Sequence, residues 1–122
     1  MSRHKIFIDP GHGGRDPGAV GNGMRESDIV LDVSRLLGNI IEAAGIDVTL
    51  SRTDDRALTV NERWQAANAW AATHFISVHV NATGGTGSET FIAATKQGDR
   101  PFALAVNDTY AIAMGLRNRD YR

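Results

Sequence analysis

The stretch Ile6-Phe7-Ile8-Asp9-Pro10-Gly11-His12-Gly13-Gly14 decides the fold. Its first residues are apolar without alternation, the pattern of a strand buried on both faces. Pro10 and the glycines then stop the strand and allow backbone conformations that other residues resist. His12 therefore sits on a rigid turn at the carboxyl end of a strand, the edge where open α/β sheets place their ligands. A second run, Phe75-Ile76-Ser77-Val78-His79, also ends on a histidine. The two imidazoles are expected to meet over one sheet edge and, with Glu26, to hold a metal ion.

Between these runs the chain alternates. Arg15 to Gly23 is a Gly-rich loop without a Walker pattern, read as flexible enough to swing Glu26 toward His12. From there Ile29, Val30, Val33, Leu36, Leu37, Ile40, Ile41 and Ala44 recur at helical spacing, and Gly45 suits the residue just past a helix end. Ile46 to Leu50 reads as a second strand, so strand, helix and strand imply a right-handed parallel crossover. Ser51 to Leu58 is a polar loop in which Arg52 and Arg56 read as solvated. Thr59-Val60-Asn61-Glu62 has the form of a capping box, and the helix it opens carries Val60, Trp64, Ala67 and Ala71 on one face. Trp64 reads as core and Trp70 as partly exposed. Asn81 to Ser88 is a loop, Glu89 to Ala93 a strand, and Pro101 fits the first turn of a last helix with Phe102, Val106, Thr109, Ile112 and Leu116 as apolar positions. The polar stretch from Arg117 to Arg122 reads as lacking a closing element. The expected class is α/β, a mostly parallel twisted sheet with helices on both faces, in a single domain spanning residues 1–122.

Composition narrows the chemistry. The chain has 122 residues, enough for one core and not for two. With 13 basic and 14 acidic side chains the formal net charge is -1, which offers no basic surplus for nucleic acid or anionic lipid. There is no cysteine, so a metal site must use histidine and carboxylate. The N-terminus leads directly into a strand without a signal-type apolar run, and no window reaches transmembrane length. Synthesis in the cytoplasm and no membrane insertion are the expectations. Two His and one Glu suit catalytic zinc, which lowers the pKa of a water to about 7 and polarises a carbonyl. The residues alone leave alternatives open: His12 as a turn residue bonded to backbone, His79 as a satisfied core histidine, Glu26 as a helix-start acid favoured by the dipole.

Ile8-Asp9-Pro10-Gly11-His12-Gly13-Gly14, Glu26 before an apolar helix, and Ile76-Ser77-Val78-His79-Val80-Asn81-Ala82 together resemble the zinc-dependent N-acetylmuramoyl-L-alanine amidases of the amidase 3 type. These are cell-wall hydrolases of bacteria and phages, autolysins and endolysins among them. The resemblance runs from Lys5 to the last residue and includes Leu58 to Asn68, Gly87-Ser88-Glu89-Thr90 and Gly115-Leu116-Arg117-Asn118-Arg119. It implies that His12, Glu26 and His79 bind one Zn2+, that the substrate is peptidoglycan, and that the bond cut joins N-acetylmuramic acid to L-alanine. Asp9 and Asn81 flank these positions as candidates for orienting them. Action at the cell wall, after release or export, and a separate wall-binding domain in a full-length protein are further expectations.

One feature departs from the family. There, a strand after the last helix carries a Glu, in a Val-Glu-x-Gly-Phe-like motif, that serves as general base. No segment up to Arg122 matches it, and Glu89 belongs to a different strand. The resemblance thus implies that the family's C-terminal strand and helix are missing, and that this chain binds zinc but hydrolyses poorly. A zinc- or muropeptide-binding module without turnover is one rival reading. A zinc peptidase acting inside the stem peptide is another, and an unfolded remnant a third.

Overall fold

The computed structural model describes residues 3–80, 88–90, 98, 100–114 and 118–121. The chain divides into two compact units, Met1–Asn81 and Ala82–Arg122.

In the first unit, strand β1 (Lys5–Pro10) is central. It pairs in parallel with β4 (Asp47–Leu50) on one side and β5 (His74–Val78) on the other. Parallel neighbours need crossovers, and two helices supply them: α1 (Glu26–Ala43) and α2 (Val60–Ala69). Alternation along the strands sends the two helices to opposite faces. Phe7 and Phe75 are register partners and stack at 5.6 Å, and Trp64 covers Phe75 at 4.8 Å, so α2 lies on that side. Ile8 is paired with Leu50 on the other side, where Gly38 of α1 approaches. The expected parallel sheet with helices on both faces is what forms.

Helix α1 begins at Glu26, as expected, but turns a different stripe inward. Its buried residues include Ser27, Val30, Leu31, Ser34 and Gly38, while Val33, Leu36 and Ile40 are exposed. Small side chains let the helix axis come close to the sheet; a Cβ on Gly38 would lie 3.2 Å from Leu50 Cδ1. The helix ends in a Schellman motif. Gly45 has φ +79°, its N–H donates to Glu42 O, and that of Ile46 donates to Ile41 O.

Helix α2 opens with the capping box anticipated at Thr59 and Glu62. Its inward residues are Arg63 and Ala67, whereas Val60 and Trp64 are exposed, so Trp64 is not the core residue expected. Arg63 takes the inward place because its partners lie at the end of β1. Trp70, half-buried, packs on Phe7 and lies under Lys5 Nζ at 4.5 Å.

The Gly-rich loop contains a small hairpin, β2 (Val20–Gly21) and β3 (Met24–Arg25). Asn22 and Gly23 both have positive φ, the requirement of a two-residue type I′ turn.

In the second unit, β6 (Ser88–Thr90) and β7 (Asn118–Tyr121) pair in parallel around α3 (Arg100–Met114). Pro101 stands in the first turn of α3, as expected. Among its described positions, Ala103 and Asn107 are buried. Strand β7 corrects the expectation that nothing closes the chain: backbone pairing forms a strand even where the sequence Asn-Arg-Asp-Tyr is polar. That strand carries no Glu. The expected continuation of β6 to Ala93, the loop from Asn81 and the apolar position Leu116 lie outside the described residues.

Candidate metal centre

Three side chains from three elements converge at the carboxyl edge of the first unit's sheet. His12 follows β1, His79 follows β5, and Glu26 is the first residue of α1. His12 Nε2 and His79 Nδ1 each lie 3.2 Å from Glu26 Oε1 and 3.3 Å from one another. The three atoms form a nearly equilateral triangle. A tetrahedral ion with bonds of about 2.0–2.1 Å has ligand atoms about 3.3 Å apart. The cluster can therefore hold such an ion with one face of the tetrahedron supplied by protein.

Each member is held in place. Gly11 leaves room for the His79 ring: a Cβ there would lie 2.6 Å from Nδ1. Gly18 does the same for the other two, since its Cβ would fall 2.7 Å from both Glu26 Oε2 and His12 Cδ2. Burial pushes the Glu26 carboxyl up. The N–H groups of Ala19 and Val80, which donate to its two oxygens at 2.9 and 2.8 Å, outweigh that with the help of His12 and His79, and hold it below the usual carboxylate range. Glu26 is thus ionised, and oriented by donors on both sides.

His12 has φ +61°, a conformation few residues other than glycine adopt. Its ring is fixed by Asp16, whose Oδ2 lies 2.9 Å from Nδ1. The bond to His12, followed by that from the Gly18 N–H, holds the Asp16 carboxyl below its ordinary range. An ionised carboxylate only accepts, so Nδ1 carries the proton and the Nε2 of a neutral ring points its lone pair at the cluster. Sequence reasoning missed Asp16; its spacing of four from His12 within one tight turn was the available signal.

The turn itself is clamped by two buried arginines. Arg52 donates to Pro10 O at 3.2 Å and Gly11 O at 2.8 Å, and also to Ser27 O at 2.9 Å and Asp54 O at 2.9 Å. Arg63 donates to Pro10 O at 2.7 Å, His12 O at 2.9 Å and Asp9 Oδ1 at 2.6 Å. Arg52 is only 2% exposed, so it is not the solvated loop residue expected. Arg56 is exposed and pairs with Asp54. Asp9 does not reach an imidazole through any bond described. Its partners are Arg63 and the hydroxyls of Ser51 and Ser77, so it touches the turn only by way of Arg63. Asn81 lies outside the described residues. His4 and His74 meet edge-to-face with ring centroids 5.4 Å apart, away from the cluster.

Residues 6–122 match the family described as N-acetylmuramoyl-L-alanine amidase. The chain belongs to that family. Among its relatives, the sporulation-specific N-acetylmuramoyl-L-alanine amidase of Bacillus subtilis is 51% identical over 90 residues, which cover 72% of this chain and 35% of that protein. The endolysin of Bacillus phage SPP1 is 42% identical over 88 residues, 70% of this chain and 32% of that one. Among solved structures, the N-acetylmuramoyl-L-alanine amidase of Clostridium difficile 630 shares the fold with a TM-score of 0.90 and 32% identity, over 97% of this chain and 68% of that chain. The chain thus spans about a third of the length of the curated amidases it matches. Among the described residues, no helix of this amidase-family chain is long and apolar enough to cross a membrane.

Proposed function

We propose that this chain is the metal-binding part of a zinc-dependent peptidoglycan hydrolase that cleaves the amide between N-acetylmuramic acid and L-alanine of the stem peptide. The observation that carries the reading is the triangle formed by His12 Nε2, Glu26 Oε1 and His79 Nδ1, with sides of 3.2, 3.2 and 3.3 Å. Two imidazoles and one carboxylate suit zinc, whereas Mg2+ and Ca2+ prefer all-oxygen sites. Family membership supplies the substrate class.

Zinc, when bound, supplies an activated water and polarises the carbonyl under attack. The protein's part is positional. His12 and His79 donate neutral nitrogens, and Glu26 brings a single negative charge, so the site keeps a net positive charge with a divalent ion. Asp16 keeps the His12 proton on Nδ1. The N–H groups of Ala19 and Val80 stop Glu26 from rotating away. Its action is at the cell wall.

The two carboxylates described at the cluster are both engaged, Glu26 with Ala19 and Val80 and Asp16 with His12. General-base catalysis contributes typically about 10²–10⁴-fold, and this engagement favours a zinc- and muropeptide-binding role with slow turnover as the second reading.

Purified peptidoglycan incubated with the zinc-loaded chain tests both readings, with products identified by mass spectrometry. Release of stem peptides with a free L-alanine amine, abolished by chelation and by His79→Ala, is the expected result. Cuts within the stem peptide would instead indicate a peptidase. Wall retention lost in His79→Ala without any wild-type hydrolysis would indicate the binding module.

A further inference from the structure

The triangle requires that two separately folded segments keep a fixed spacing: the turn after β1, which bears His12, and the first turn of α1, which bears Glu26. Outside the cluster itself, Arg52 touches both. Arg52 donates to Pro10 O and Gly11 O in the turn, and to Ser27 O directly after Glu26. Arg52 comes from the loop after β4, so it contributes no atom to the cluster.

We propose that Arg52 is a positioning residue for the metal centre, a buried guanidinium bracket that sets the distance between His12 and Glu26 by bonding the carbonyls of both segments. The proposal rests on the metal reading above and concerns what builds that site.

Physical cost argues for a role. A guanidinium in the interior loses hydration, and exposed placement in a loop would be cheaper. The partners of Arg52 among the described residues are four carbonyl oxygens, which offset the loss without neutralising the charge. Burial and the nearby Arg63 guanidinium both lower its pKa. A core purpose alone would be met by an apolar side chain of similar volume. The planar fork is what lets one group address carbonyls in different directions, which a lysine ammonium at the end of a flexible stem does not reproduce. Gly13 completes the fit, because a Cβ there would lie 2.9 Å from Arg52 Nε. Arg63 grips the same turn from α2, but its bonds go to Pro10, His12, Leu58 and Asp9 and not to α1. Arg63 thus supports the turn, whereas Arg52 sets the turn against the helix.

The test compares wild type, Arg52→Lys and Gly45→Ala by zinc competition against a chromophoric chelator, well below the melting temperature of each. Gly45 lies at the far end of α1 with φ +79° and no neighbour within 4 Å, so its substitution lowers stability without touching the site. Arg52→Lys is expected to weaken zinc binding by about tenfold or more, the scale of outer-shell losses. It should also dim the visible bands of the cobalt-substituted protein, which report tetrahedral geometry. Gly45→Ala is expected to keep wild-type affinity. Arg52→Lys affinity within about twofold of wild type, or an equal loss in Gly45→Ala, overturns the proposal and leaves the metal reading intact. A wild type that does not bind zinc overturns both. Should Arg52→Lys fail to fold, amide hydrogen exchange on the metal-free wild type decides. The amides of Gly11 and Gly13 opening together with those of Glu26 and Ser27 supports the bracket, and independent opening contradicts it.

Discussion

Asp16 Oδ2 lies 2.9 Å from His12 Nδ1, and that bond chooses which nitrogen of His12 faces Glu26. A histidine whose outer nitrogen donates to a carboxylate presents its other nitrogen as a pre-aligned, more basic ligand. Asp16→Ala should therefore weaken zinc binding by about 10–100-fold with the fold retained. Asp16→Asn can still accept the Nδ1 proton and should fall between the two. Calorimetric zinc titrations of the three proteins check this ordering, and equal affinity in all three would mean that the ring is oriented by packing alone.

Gly11 and Gly18 are places where a methyl group would occupy space that the His79, His12 and Glu26 side chains fill. Gly11→Ala should displace the His79 ring and reduce zinc affinity with a modest effect on stability. Gly18 also has φ +67°, so Gly18→Ala should lose affinity and about 1–2 kcal/mol of stability as well. Zinc titration alongside urea unfolding separates the two effects.

Glu26 links the metal-free fold to pH. Its folded pKa is depressed below its unfolded value, so its contribution to stability is complete above the unfolded value and is lost as pH falls through the lower folded one. In the presence of chelator, wild type should lose more stability than Glu26→Gln as the pH is taken down through the carboxylate range. Parallel melting curves for the two proteins across that range would show that the Ala19 and Val80 bonds do not stabilise the charged form.

Ser34 is buried in α1, and its hydroxyl has no hydrogen-bond partner among the described residues. A buried hydroxyl left without a partner is a cost that removal relieves. Ser34→Ala should stabilise the chain by up to about 1 kcal/mol, measured by chemical denaturation. A clear loss of stability would mean that the hydroxyl is satisfied in solution.

Local chemistry made much of this legible from sequence. Pro10 and the glycines announce the turn at His12, Gly45 announces the end of α1, and Thr59 with Glu62 announces the start of α2, because each residue type acts on its own few bonds. The convergence of His12, Glu26 and His79 followed from parallel topology, which brings strand ends to one edge. What stayed hidden depends on partners far along the chain. The carbonyls of Pro10, Gly11, His12 and Ser27 that draw Arg52 and Arg63 inward belong to residues 25 to 53 positions away. Helical period could not tell which of two adjacent stripes of α1 meets the sheet, and small Ser27, Ser34 and Gly38 won over Val33, Leu36 and Ile40 because they permit close approach. The polar strand at Asn118–Tyr121 is set by backbone pairing, which apolar patterning does not report.

The most direct measurement is X-ray absorption at the zinc edge on the zinc-reconstituted chain, with His12→Ala, Glu26→Ala and His79→Ala measured beside it. One ion per chain, with two imidazoles in its coordination shell and one imidazole fewer in each histidine variant, is the result predicted. Stoichiometry below one, or a shell unchanged by any of the three substitutions, would contradict it.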